Sequence, residues 1–167
     1  QHDRVHAISH RAGRIVDLGC GPADVTIRFV KAFPAVHATG VDGSEEMLAF
    51  GRSSVREAGL ESRINLEKRY LPDPSLETLQ FDAVICNSLL HHFADPVSLW
   101  RTAVQCAKPG APVILIDLIR PPDSDTVVRL VNEHAKDAPP ILQRDFIASL
   151  HAAYSPDEVR EQLAAAG

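Results

Sequence analysis

Short β-branched runs alternate along the chain with longer stretches whose apolar residues return every three or four positions. Residues 14–18 (RIVDL) make a brief apolar run that stops at Gly19 and predicts a first strand. Val25, Phe29 and Phe33 then fall at i, i+4 and i+8 with Val30 beside them, which predicts a helix over 24–33 halted by Pro34. Residues 36–42 (VHATGVD) predict a second strand. Ser44 supplies a side-chain cap to a helix that opens with Glu45 and Glu46, acids suited to the positive end of its dipole, and that ends near Gly59. Further strands are predicted over 63–67, 82–86 and 112–118, with a polar loop and a helix over 96–107 between the last two. Strand and helix in strict alternation are the signature of βαβ units, hence an α/β fold with a mostly parallel sheet.

Beyond Pro121-Pro122 the rhythm changes. Helices are expected over 123–136 and 141–153, separated by Pro139-Pro140. Ser155-Pro156-Asp157-Glu158 forms a capping box with proline at the first helical position, starting a last helix that reaches Ala166. The stretch 123–153 is read as a helical insertion above the sheet, a lid or substrate pocket, within a single domain spanning 1–167.

The chain has 167 residues, 45% apolar and 23% charged, the mix of an ordinary globular domain with one core. A net charge of −5 and a pI near 5.9, with Arg14, Arg28, Lys31, Arg52 and Arg56 scattered, give no electrostatic footprint for nucleic acid. Cys20, Cys86 and Cys106 are odd in number and lack CxxC spacing, which argues against a disulfide framework and a zinc site and suits the reducing cytoplasm. No apolar run approaches the length needed to span a bilayer, so no membrane partner is expected. The chain opens on Gln1 and closes on a helix that has just reached Gly167, so further sequence is expected to follow.

The chemistry concentrates in Asp17-Leu18-Gly19-Cys20-Gly21-Pro22-Ala23, between the first strand and the first helix. Gly19 and Gly21 let the backbone approach a ligand and take dihedrals closed to other residues. The helix that follows offers free N–H groups, and Asp17 lies below the turn, placed to order it or to receive a cationic group. A dinucleotide fingerprint would require a third glycine at position 24, where this chain has Asp24, an anion in the place of a pyrophosphate.

Four segments in register, VDLGCGPAD (16–24), TGVDGSEEML (39–48), FDAVICNSLLHHFADP (81–96) and AKPGAPVILIDLIRP (107–121), resemble the class I S-adenosylmethionine-dependent methyltransferases, specifically the small-molecule methyltransferase domain group. The resemblance implies a Rossmann-like doubly wound sheet in the order 3-2-1-4-5, with S-adenosyl-L-methionine as cofactor and a small-molecule methyl acceptor. By it, Asp17, Gly19, Cys20 and Gly21 hold the methionine half, and Asp42 with Gly43 the ribose. Met47, Tyr70 and Leu71 lie at the adenine, and Asn87 and Ser88 at the methionine moiety. The family's third turn glycine is Ala23 here, and the acid it often carries after strand three is missing near Tyr70.

His91 and His92 are the candidate catalytic residues. Methyl transfer from an activated donor is mainly positioning, and a base is needed only where the acceptor must lose a proton. His134 and His151 fall in the expected lid. The family sheet also has strands six and seven beside strand five. They are missing here, which would leave an apolar edge for a homodimer to cover. Three other readings are open: a non-catalytic S-adenosylmethionine-binding module, an NAD-type oxidoreductase, which Asp24 opposes, and a methyltransferase acting on tRNA or protein, which the acidic charge opposes.

Overall fold

A computed structural model describes residues 13–167, so the first twelve residues of the expected domain lie outside the described residues. Five strands, β1 (Gly13–Leu18), β2 (Val36–Asp42), β3 (Ile64–Lys68), β4 (Ala83–Asn87) and β5 (Val113–Ile116), form one parallel sheet in the order β3-β2-β1-β4-β5. Between them run α1 (Asp24–Ala32), α2 (Glu45–Glu57), the short α3 (Pro74–Glu77) and α4 (Pro96–Cys106). A 3₁₀ turn, Leu90–His92, interrupts the segment expected to be loop, and α5 (Ser124–His134), α6 (Pro140–Ala152) and α7 (Pro156–Ala166) follow β5.

The sheet is covered on both faces, which explains why β1 is buried from Ile15 to Leu18 instead of alternating with solvent. Period-two alternation instead sorts side chains between two cores. Ile15, Ala38, Ile64 and Ile85 join Val30 of α1 and Val55 of α2 on one face. Val16, Leu18, Val41 and Val84 join Leu99, Trp100 and Ala103 of α4 on the other. β1 lies at the centre, paired with β2 (Leu18 opposite Val41) and β4 (Leu18 opposite Cys86), so its end sits mid-sheet, where open α/β folds take their ligands.

α5 and α6 hold a small core of their own, with Val127, Val131 and Leu150 buried and Leu118 joining it to the end of the sheet. α7 returns to α4, where buried Trp100 donates its indole N–H to Gln162 at 3.1 Å. A parallel bridge between Ile119 and Tyr154, and a Tyr154 hydroxyl bond to the Phe93 carbonyl at 3.0 Å, fasten the start of α7 beside the segment that leaves β5. Among the described residues β5 pairs only with β4, and Ile116 is 62% exposed.

Candidate functional site

The end of β1 turns through three left-handed residues, Gly19 (φ 71°), Gly21 (φ 51°) and Ala23 (φ 64°). Ala23 therefore keeps the backbone shape of the glycine it replaces, at a strain of about 1 kcal/mol. The Gly19 and Cys20 amides both donate to the Val41 carbonyl, at 2.9 and 3.0 Å, and the Gly21 amide donates to Asp42 Oδ2 at 2.9 Å. The turn is thus laced to the end of β2. A Cβ at Gly21 would meet nothing within 4 Å, whereas one at Gly19 would lie 2.7 Å from Leu89 Cδ1. The open side of the turn is over Gly21; at Gly19 the close approach is made by Leu89. The Cys20 side chain does not line the turn: it is buried against Gly40, whose added Cβ would stand 2.9 Å from its Sγ.

Asp17 lies under the turn with 1% of its surface exposed and accepts the Thr26 hydroxyl of α1 at 2.5 Å. Burial pushes its carboxyl up to about 7. The Thr26 bond opposes the rise, and the charges of Asp24 and Asp42 add to it. Three carboxylates therefore act on one turn, a setting that favours a cationic ligand over a pyrophosphate.

Asp42 caps β2, with Oδ1 taking the Ser44 amide at 2.8 Å while Oδ2 takes Gly21. Each oxygen retains a lone pair for a further donor. Tyr70 lies on Gly43, where an added Cβ would stand 3.2 Å from its ring, and the Lys68 ammonium is 5.8 Å from the ring centroid. Arg69 secures this rim. It donates to Glu67 at 2.7 Å and to Asp73 at 2.8 Å, and its amide reaches the Asp42 carbonyl at 3.0 Å. Met47 and Tyr70 remain 44% and 71% exposed, while Leu71 turns into the core.

At the ends of β4 and β5 the geometry separates the two histidines. His91 Nδ1 is 2.6 Å from Asp117 Oδ1, and both side chains are more than nine-tenths buried. The same carboxylate accepts the Leu90 and Leu118 amides, each at 2.7 Å. His92 is exposed, its ring 4.1 Å from that of His91. Burial and then the neighbouring imidazole lower its pKa, against the pull of Asp117. Neither caps the next helix: Asp95 does, accepting the Val97 amide at 3.2 Å. Asn87 donates to the Ser88 hydroxyl at 3.2 Å, and Ser88 has a left-handed backbone (φ 54°). His134 and His151 are exposed.

Sequence reasoning missed Asp117 and Arg69. Residues 112–118 read as one strand, yet β5 ends at Ile116 and leaves Asp117 at the tip next to β4. An acid closing an apolar run is the signal that could have found it.

Residues 16–113, more than half of the chain, match the family model described as "Methyltransferase domain". The chain belongs to the class I S-adenosylmethionine-dependent methyltransferases. This overturns the NAD-type reading. The methyltransferase domain is 34% identical to the ubiquinone biosynthesis O-methyltransferase of Bordetella bronchiseptica over 114 residues, 66% of this chain and 45% of that protein. It is also 34% identical to the protein of the same name from Methylococcus capsulatus over 120 residues, 70% and 48%. The chain thus spans about half the length of these curated relatives. A methyltransferase from Aquifex aeolicus shares the fold at a TM-score of 0.71 and 18% identity, covering 99% of this chain and 78% of that one. So does the plantazolicin methyltransferase BpumL, whose structure holds S-adenosylhomocysteine (0.73, 19%, 91% and 54%). The [4+2]-cyclase SpnF also shares it (0.70, 22%, 99% and 56%).

S-adenosylmethionine is the cofactor of this family. The residues fit it: the backbone is bare over Gly21, the carboxylates of Asp17, Asp24 and Asp42 suit a ligand bearing a sulfonium and an ammonium, and Asp42 has acceptor capacity for sugar hydroxyls.

Proposed function

We propose that this methyltransferase domain serves an enzyme that methylates a small-molecule acceptor. The observation that carries the reading is the glycine turn at mid-sheet, open over Gly21 and stitched to the Asp42 carboxylate of the neighbouring strand. The bound cofactor supplies an electrophilic methyl group. Gly19, Cys20 and Gly21 offer backbone to its amino-acid half, and Asp17 beneath them, its carboxyl lifted to about 7 by burial, is drawn towards its ionised form by a cationic ligand. Asp42 and Gly43 meet the ribose, Tyr70 and Met47 flank the base, and the Leu71 backbone borders it. Asn87 and Ser88 face the side where the acceptor arrives. α5 and α6, residues 123–153 with their flanks, form the lid that shapes the acceptor pocket and keeps water out. The relatives named as O-methyltransferases support oxygen as the receiving atom.

Calorimetry with S-adenosylhomocysteine, followed by labelled methyl transfer to a panel of small hydroxylated acceptors, tests the reading; absence of binding heat would remove it. A second reading is a cofactor-binding domain that does not turn over, since the open turn and Asp42 are features that binding alone requires. Binding with no transfer to any acceptor would favour it. Two smaller proposals accompany the first. Three buried free thiols suit a reducing cytoplasm. The β5 edge, paired only with β4 among the described residues and with Ile116 62% exposed, suits a homodimer, which sedimentation at a single-chain mass would exclude.

A further inference from the structure

We propose that Arg69 is a positioning residue for the cofactor: its guanidinium clamps the end of β3 to the start of α3 and so holds the Tyr70 ring as a platform for the adenine. The inference rests on the methyl-transfer reading above and adds to it a residue that acts on the base without touching it.

The clamp is built from both ends. Nε and Nη2 of Arg69 lie 2.7 and 2.6 Å from Glu67 Oε2, and Nη1 donates to Asp73 Oδ2 at 2.8 Å and to the Ser75 hydroxyl. Each acid is fixed in turn. Glu67 Oε1 accepts the Asn65 side-chain amide at 2.7 Å, and Asp73 Oδ1 accepts the Ser75 backbone amide at 2.9 Å as the cap of α3. The Asp73 carboxyl is drawn down to about 2, by Arg69 first and Ser75 second, so the pair stays charged through the neutral range. A lone surface ion pair adds little order, but an arginine spanning two carboxylates fixes the orientation of its planar fork. With those donors spent on the protein, the guanidinium is not aimed at a ligand.

What the clamp holds is the next residue. Tyr70 is 71% exposed, yet its ring rests on Gly43, where an added Cβ would stand 3.2 Å from Cδ1 and Cε1. Among the described residues its hydroxyl makes no hydrogen bond, so the ring is placed by Gly43, by Lys68 and by its chain neighbours. Of those neighbours, Leu71 is packed against the core and Arg69 is tied by its side chain. Gly43 follows Asp42, the residue proposed for the ribose, and the Arg69 amide donates to the Asp42 carbonyl at 3.0 Å. A base joined to a sugar at Asp42 therefore arrives at the Tyr70 ring. Stacking there is strongest when the ring is already held, because no side chain has to be ordered on binding.

The test begins on the chain alone. The Gly43 α-proton resonances should be displaced by the Tyr70 ring current and return to ordinary values in both Tyr70→Ala and Arg69→Ala. Resonances unmoved by Arg69→Ala would overturn the clamp. Calorimetry should then show Tyr70→Ala weakening S-adenosylhomocysteine binding about tenfold, the worth of a base stacked on one aromatic ring. Arg69→Ala should reproduce most of that loss, and the double variant should lose no more than Tyr70→Ala alone. S-ribosylhomocysteine, which keeps the sugar and amino acid but lacks the base, should bind all the variants as it binds the wild type. Additive losses, or an equal loss with the base-free ligand, would overturn the proposal and mark Arg69 as merely structural. Arg69→Lys keeps the charge without spanning both acids and should remain weaker than wild type; full affinity in that variant would also overturn it. Failure of the wild type to bind S-adenosylhomocysteine would instead sink the methyltransferase reading on which the proposal stands.

Discussion

Asp17 is almost wholly enclosed between β1 and α1, and its charge is met there by one hydroxyl, that of Thr26. Replacing it with Asn keeps an oxygen that can accept the Thr26 hydroxyl and removes the charge. Burial, partly offset by that bond and reinforced by Asp24 and Asp42, lifts the carboxyl from its ordinary 3.8 to about 7. The ionised side chain is therefore about 4 kcal/mol less welcome in the native chain than in the unfolded one. Because the native state holds this proton more tightly, the stability it contributes is fully present below pH 3.8 and is lost as pH rises through about 7. Between pH 5 and pH 8 the wild type should lose about 3 kcal/mol relative to Asp17→Asn. Urea unfolding of both proteins at the two pH values measures the difference, and calculating the gap at each pH cancels the other titrating groups. A gap that stays constant, or a variant less stable than wild type at pH 8, would refute the electrostatic account. Cationic S-adenosylmethionine should also stabilise the wild type more than the variant at pH 8, since its charge offsets that of Asp17.

Asp42→Ala removes the acceptor of the Gly21 and Ser44 amides along with the proposed ribose contact. Titration calorimetry should show S-adenosylhomocysteine binding weakened by about 1–3 kcal/mol, and unchanged affinity would take Asp42 out of the site. Gln162→Leu leaves the buried Trp100 indole N–H without its acceptor and should lower stability by about 1–3 kcal/mol in urea, with cofactor affinity retained. All three cysteines are buried, and burial pushes the Cys86 thiol up to about 12 and that of Cys20 still higher. Ellman's reagent should therefore react fast with the thiols only after denaturant is added, and prompt native labelling would contradict the packing.

Much of the frame was legible because local and global signals agreed. The i, i+4, i+8 spacing of Val25, Phe29 and Phe33 marked α1, and the Ser155 capping box marked α7 with both of its reciprocal bonds present. Strand ends were read less well: β3 begins one residue late and β5 ends two residues early, since a run of β-branched residues does not say where its neighbour stops pairing. The short α3 carries its own start signal, Asp73 capping and Pro74 at the first position, yet four residues are too few to show a period. In the site, the turn glycines and Asp42 sit on contiguous motifs and could be found. Asp117 could not, because its meaning depends on β5 lying beside β4 and on His91 turning back towards it. Cys20 and Leu71 share the motif's sequence positions while their side chains answer to the core.

The contact between Leu89 and Gly19 also limits what the turn can carry. One leucine side chain abuts the loop that receives the methyl donor, and two positions further along the same short segment comes the imidazole of His91. A side chain at position 19 would collide with that leucine, so the neighbouring loop, as much as the left-handed backbone, reserves the position for glycine.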